Sequence, residues 1–280
     1  MKLADRLVEL IRDTSSSLPD DVVAAISRAK RREPAGSSAA VVLKTILDNV
    51  ALARKRGVPL CQDTGTLAFF VDSRLRRTVT PAALKRAVAR ATALGCLRKN
   101  TIDAVTGFSC DDNVADGAPV IHYVDAAADE PRRVTLIMKG GGSENMSRQY
   151  SLPDSALGAG RDLAGVRACV LDAVQKIQGY GCAPGILGVC IGGDRATGYA
   201  VAKEQLLRRL DEKPSGDRAL RKLERKLLDE ANTLGIGPMG LGGRTTLLGV
   251  KIAARTRVPA SYFVTIAYMC WACRRRAIEL

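Results

Sequence analysis

Two kinds of apolar pattern alternate along this chain of 280 residues, and the alternation limits its fold more than any other feature. Segments 3–11, 22–29 and 39–53 repeat apolar residues at intervals of three and four, which lines one face of a helix. Asp20/Asp21 and Ser37/Ser38 precede the second and third as caps, and Thr80-Pro81 reads as an N-cap with proline at the first helical position, opening a helix toward Ala93. Residues 164–177 and the strongly charged 218–231 complete the helical set. Strand-like runs fall between these segments, at 67–71, 120–124, 134–138, 186–191, 247–252 and 263–269. The expected fold is α/β, mixed sheets flanked by helices, in a single large domain over 1–280 whose part up to about residue 57 is helical. Lys213-Pro214-Ser215-Gly216-Asp217 is the clearest loop between helices, with no flexible linker and no short repeat elsewhere.

With 46% hydrophobic residues the chain can bury a large core, which argues against disorder. The opening segment from Met1 to Ile11 sets charges between its apolar residues, so it reads as an amphipathic helix and not a secretory signal. No apolar run approaches the length of a membrane span. Eight cysteines without dense spacing favour a reducing compartment, and the cytoplasm is expected. The net charge of +14 gathers in short runs, Lys30-Arg31-Arg32, Arg54-Lys55-Arg56 and Arg274-Arg275-Arg276, with the pairs Arg221-Lys222 and Arg225-Lys226. Such runs usually form solvated helix faces, and they also attract a dianionic substrate or an acidic partner. Aromatics make up 4% of the chain and do not interleave with the basic runs, which argues against stacking on nucleic acid.

Cys61, Cys182 and Cys270 each sit at a turn edge, in Pro59-Leu60-Cys61-Gln62-Asp63-Thr64-Gly65, Gly181-Cys182-Ala183-Pro184-Gly185 and Met269-Cys270-Trp271-Ala272. Placed so, they suggest a cluster held by three thiolates. A [4Fe–4S] cluster bound this way leaves one iron free of protein ligands. Their wide separation matches neither a zinc ribbon nor a ferredoxin run, and a buried structural thiol is the alternative at each. Lys139-Gly140-Gly141-Gly142-Ser143 follows a strand, where backbone N–H groups can form an anion nest or simply a glycine turn. The single histidine, His122, lies inside a strand run and reads as a core residue, which excludes a His-rich zinc site.

Taken in order, these motifs, with Lys139-Gly140-Gly141-Gly142-Ser143-Glu144-Asn145 and Gly235-Ile236-Gly237-Pro238-Met239-Gly240-Leu241-Gly242-Gly243-Arg244-Thr245-Thr246, resemble the α component of the iron–sulfur (class I) fumarases and L-tartrate dehydratases over roughly 34–275. The resemblance implies a cluster-binding catalytic domain with Cys61, Cys182 and Cys270 as ligands. Cys270 lies in the family's Cys-Trp-Ala element, whereas Cys273 stands outside it. Cys96, Cys110, Cys169 and Cys190 have no matching context and are expected to be structural. The family roles carried over are catalysis by Gln62 and Asp63, which contact substrate, and carboxylate binding by Arg98, Gly140, Gly141, Ser143, Glu144 and Asn145. Where relatives often read His-Pro-Ala-Ser, this chain reads Val258-Pro259-Ala260-Ser261.

The resemblance further implies a two-component hydro-lyase of the tricarboxylic acid cycle. It would dehydrate a 2-hydroxydicarboxylate reversibly, with malate and fumarate favoured and L-tartrate the alternative. Because the chain ends soon after the Cys-Trp-Ala element, a separately encoded β subunit is expected to supply the general base, in an α2β2 heterotetramer without membrane association. A basic nucleic-acid-binding protein with structural cysteines is the reading of a different class.

Overall fold

The computed structural model describes residues 2–212 and 216–280. In chain order the elements are α1 (Leu3–Ser16), α2 (Asp20–Arg32), α3 (Ser38–Arg56), β1 (Thr66–Asp72), α4 (Pro81–Ala93), β2 (Val120–Val124), β3 (Arg133–Lys139), α5 (Gly141–Asn145), β4 (Arg148–Ser151), α6 (Leu163–Ile177), β5 (Gly185–Ile191), α7 (Arg195–Gln205), α8 (Arg218–Thr233), β6 (Leu247–Ala254), β7 (Phe263–Met269) and β8 (Arg274–Glu279). Every helix and strand expected from periodicity is present. Met1 and most of the 213–217 loop lie outside the described residues.

The helix starts follow the local chemistry. Thr80 Oγ1 accepts from Ala83 N at 3.2 Å with Pro81 at the first position, as expected. Asp162 Oδ1 accepts from Gly165 N at 2.7 Å, and Asp194 Oδ1 from Ala196 N and Thr197 N at 2.9 and 3.0 Å. The charged helix α8 buries only Leu223, Leu227 and Ala231, a stripe at four-residue spacing.

The chain forms two compact units. The first comprises Met1–Pro19, Asp48–Gly141 and Ala272–Leu280, and the second Asp20–Leu47 and Gly142–Trp271. In the first unit a four-stranded sheet runs β2-β1-β3-β8, parallel between β1 and β2 and antiparallel elsewhere. Leu7, Leu10 and Ile11 of α1 and Leu84 and Val88 of α4 pack with Phe69, Leu136 and Met138 of this sheet in one buried core. In the second unit the order is β4-β7-β5-β6, parallel between β5 and β6 and antiparallel elsewhere. There Val170, Ala173 and Val174 of α6 and Leu227 of α8 meet Leu187, Val189, Val250 and Ile266. Both sheets are thus mixed and flanked by helices.

Four elements went unread in the sequence. Helix α7 buries only Gly198, Val201 and Ala202, so it carries almost no apolar stripe. It can lie on the sheet because a Cβ on Gly198 would stand 2.4 Å from Thr265 Oγ1 and one on Gly188 2.0 Å from Ala202 O. Strand β4 is short and polar, and α5 opens on two glycines. Strand β8 corrects an expectation: Arg274-Arg275-Arg276 is not a solvated helix face but pairs with β3 as a strand, with Arg274 1% and Arg275 8% exposed. Backbone pairing and close covering of these two side chains override their preference for water.

Candidate functional site

In the first unit, Cys61, Gln62 and Asp63 occupy the bend between α3 and β1. Gly65, with φ +73°, closes it: a Cβ there would stand 2.4 Å from Lys139 O, so only glycine lets the start of β1 meet the end of β3. Gly140 is buried at the same place, and a Cβ on it would fall 2.7 Å from Asp63 Oδ2. Into that space comes the Asp63 carboxylate. Its Oδ2 accepts from Gly141 N at 2.8 Å and its Oδ1 from Asn100 Nδ2 at 3.3 Å. The glycine-rich segment therefore presents one backbone amide to the chain's own aspartate. Cys61 is half-buried, Gln62 exposed, and Cys61 Sγ lies 3.8 Å from Gln62 Oε1.

The loop after α4 is organised by Asn113, which is 3% exposed and left-handed at φ +60°. Its Oδ1 accepts from Asn100 N and Thr101 N at 2.9 and 3.0 Å, while its Nδ2 donates to Arg98 O at 2.8 Å and Thr92 Oγ1 at 3.0 Å. Those four bonds fix the backbone that carries Arg98, whose side chain is exposed, and Asn100. A cavity of about 510 Å³ opens here, bordered by Asp63, Thr66, Lys99, Asn100, Asn113 and Gly141.

The same unit contains Arg274, whose Nη2 donates to the Asp63 carbonyl at 2.8 Å. Its Nε and Nη1 are buried without a hydrogen-bond partner. A guanidinium so enclosed is costly, and it is spent on holding the backbone of Asp63.

In the second unit, Cys182 is exposed and left-handed at φ +53°, and Cys270 is half-buried at the end of β7. Trp271 N donates to Cys182 O at 3.3 Å, tying the two cysteine turns together. Behind Cys182 runs the glycine-rich segment 235–246. Met239 N donates to Ala183 O at 3.0 Å, and a Cβ on Gly179 would stand 2.5 Å from Met239 O. Tyr268 forms the floor of this turn: Cβ atoms on Gly181 or Gly185 would reach its ring at 2.3 and 2.4 Å. Burial pushes its phenol well above the usual tyrosine range, and the charges of Cys270 and Cys182 act in the same direction.

The remaining expected residues of this unit lie at α5. Ser143 is buried, and its Oγ accepts from Cys270 N at 3.2 Å, so the serine braces a cysteine turn. Glu144 Oε1 pairs with Lys203 Nζ at 2.6 Å, and Asn145 is exposed.

The other cysteines divide by burial. Cys96, Cys169, Cys190 and Cys273 are buried, whereas Cys110 is half-buried. Desolvation pushes the Cys169 thiol up to about 12 and those of Cys96 and Cys190 upward as well, so they stay protonated where a ligand must be a thiolate. His122 is half-buried and stacks on Phe70 with ring centroids 4.9 Å apart.

Among the described residues no three His, Cys, Asp or Glu side chains converge as ligands of one metal ion. A cluster asks for something different, since each thiolate binds its own iron. Asn100, Asn113, Tyr268 and Arg274 escaped the sequence reading. Only Asn100 carried a signal there, as a neighbour of Arg98.

The family model for fumarate hydratase (Fumerase) matches residues 4–279. A Geobacillus stearothermophilus protein named as a class I fumarate hydratase is 46% identical over the whole chain, which spans 55% of that relative's length. A Methanocaldococcus jannaschii protein named as an L(+)-tartrate dehydratase subunit alpha is 35% identical over 98% of this chain and 96% of its own. The L(+)-tartrate dehydratase subunit alpha of Escherichia coli is 28% identical over 100% of this chain and 91% of its own.

Proposed function

The chain belongs to the fumarate hydratase (Fumerase) family, and from that premise we propose that it is the α component of a [4Fe–4S] hydro-lyase. The substrate is a 2-hydroxydicarboxylate. Malate and fumarate are favoured by the relative of highest identity quoted above, which would place the reaction in the tricarboxylic acid cycle. L-tartrate is the second reading, favoured by the two α-subunit relatives that match nearly end to end.

The donor set fits the cluster. Cys182 and Cys270 stand on turns joined by a backbone hydrogen bond, Cys182 is exposed and Cys270 half-buried, and the ring of Tyr268, whose hydroxyl has no partner, underlies the Cys182 turn. Cys61 is likewise open, while four other thiols are sealed in the interior. Cys61, Cys182 and Cys270 would hold the group, and when bound it supplies a Lewis-acidic iron toward a substrate hydroxyl.

The chain's own groups then have defined tasks. Each Asp63 oxygen already accepts one hydrogen bond and keeps a further lone pair, so the carboxylate is oriented yet able to carry a proton to or from the departing hydroxyl. Gln62 offers a neutral donor and acceptor beside it. Arg98, exposed on its fixed loop, suits bidentate pairing with a carboxylate. Gly140 and Gly141 keep Asp63 in place, and Ser143 holds the Cys270 turn. Glu144 and Asn145, at the end of α5, would complete the substrate-binding set.

A β component supplies the general base, in an α2β2 assembly, and a reducing compartment such as the cytoplasm suits the thiolate ligands. Within the described residues no helix is long and apolar enough to cross a membrane.

The observation that carries the reading is the fixed Asp63 carboxylate on the cavity wall two residues after an open cysteine. Anaerobic reconstitution, followed by iron and sulfide analysis and assays on malate, fumarate and L-tartrate with and without the β component, tests it. About four irons and four sulfides per chain and partner-dependent turnover are expected. A colourless protein that binds oligonucleotides in a salt-sensitive way would instead support the nucleic-acid reading.

A further inference from the structure

Tyr268 is 1% exposed in the middle of the second unit's sheet, paired across to Leu187 on β5, and its hydroxyl has no hydrogen-bond partner. Leaving a buried hydroxyl unpaired costs about 1–3 kcal/mol. Phenylalanine would fill the same ring space without that cost. The space itself is purpose-shaped: Gly181 and Gly185, on either side of Cys182, both lack the Cβ that would strike the ring, and at Gly185 that Cβ would fall 2.4 Å from the hydroxyl oxygen. Two glycines and a tyrosine thus set a phenol beneath the Cys182 turn, two residues ahead of Cys270. The oxygen is wrapped by its own chain, so bulk water and substrate do not reach it, and the turn that carries Cys182 closes over its ring.

We infer that the Tyr268 hydroxyl donates a hydrogen bond to a thiolate sulfur of the Cys182–Cys270 pair in the loaded protein, making Tyr268 a positioning residue that sets the cluster's electron density. The inference rests on the cluster-binding reading above. A hydrogen bond to a ligating sulfur withdraws density from it and raises the reduction potential. The donor bond also gives a reason for a tyrosine in a strand whose buried members Val264, Ile266, Ala267 and Met269 are apolar, with Thr265 the one other buried polar residue.

The test compares the wild-type chain with Tyr268→Phe after anaerobic reconstitution, by iron and sulfide content, EPR-monitored redox titration and resonance Raman spectra in H2O and D2O. Expected are equal cluster content, a lower midpoint potential in the Phe variant, and loss of the deuterium sensitivity of the iron–thiolate stretching bands. Equal potentials and unchanged deuterium sensitivity would overturn the inference while leaving the cluster reading intact. A wild-type chain that takes up neither iron nor sulfide overturns both. If the Phe variant does not fold or load, 3-fluorotyrosine at the same position decides. This stronger donor of nearly the same shape should move the potential upward, and an unmoved potential would refute the hydrogen bond.

Discussion

Arg274 reaches from β8 to the backbone carbonyl of Asp63 at 2.8 Å, and through that bond a fully buried charge fixes the residue assigned to proton transfer. The other two guanidinium positions have no partner, so the arginine contributes little net stability. Arg274→Met keeps the bulk and removes the charge. Its Tm should stay within a few degrees of the wild type or rise, while kcat falls about 10- to 100-fold because Asp63 loses its brace. A large drop in Tm with kcat intact would show the role to be structural.

Serine replacements sort the cysteines. Cys61→Ser, Cys182→Ser and Cys270→Ser should each abolish the visible absorption after reconstitution. The same change at Cys96, Cys110, Cys169, Cys190 or Cys273 should leave it. Cys273 is the sharpest comparison, since it lies three residues from Cys270 yet is fully buried. Absorption retained in Cys270→Ser and lost in Cys273→Ser would reassign the third ligand.

Asp63→Asn should lower kcat by at least about 100-fold, since it removes the proposed acid–base group. Asn100→Ala frees only one of the two bonds that orient the carboxylate. A fall of about tenfold in kcat with KM nearly unchanged is expected from steady-state kinetics. A rise in KM alone would make Asn100 a substrate-binding group instead.

Asn113 makes four hydrogen bonds from a buried position, so Asn113→Ala should destabilise the chain by about 2–4 kcal/mol in denaturant titrations. It should also raise KM, because the loop carrying Arg98 is released. Full stability with an ordinary KM would mean that the loop is held some other way.

The acid limb of stability should involve Asp72. The hydrogen bonds from the Arg74 side chain hold its carboxyl down at about 2, against 3.8 when unfolded. A depressed folded value adds stability that is present above pH 3.8 and lost as pH falls through about 2. Urea midpoints of Asp72→Asn should therefore vary less than those of the wild type between about pH 4 and 2. Identical profiles would remove Asp72 from the acid response.

The sequence by itself determined most of the secondary structure, the family and the polar residues around Cys61. Periodicity, the Thr80-Pro81 cap and the glycine runs are local properties, and they can be read without knowing what packs where. The strands of both sheets were legible where their apolar runs were dense. Strand β8 was not, because three arginines in a row hide a strand whose stability comes from pairing with β3 and from the covering of Arg274 and Arg275. Helix α7 was hidden for a related reason: its inward face is made of Gly198, Val201 and Ala202, whose value is closeness of approach and not apolar area.

Only the tertiary structure decided how the chemistry is held. Asp63 meets Gly141, Asn100 and Arg274, Cys182 meets Trp271, and Ser143 meets Cys270, all between residues distant in sequence. Hydrogen bonds between such residues leave no periodic trace in the chain. The unpartnered hydroxyl of Tyr268 is the extreme case, since a tyrosine in an apolar strand reads simply as a core residue until the packing shows that Gly181 and Gly185 make room for its ring.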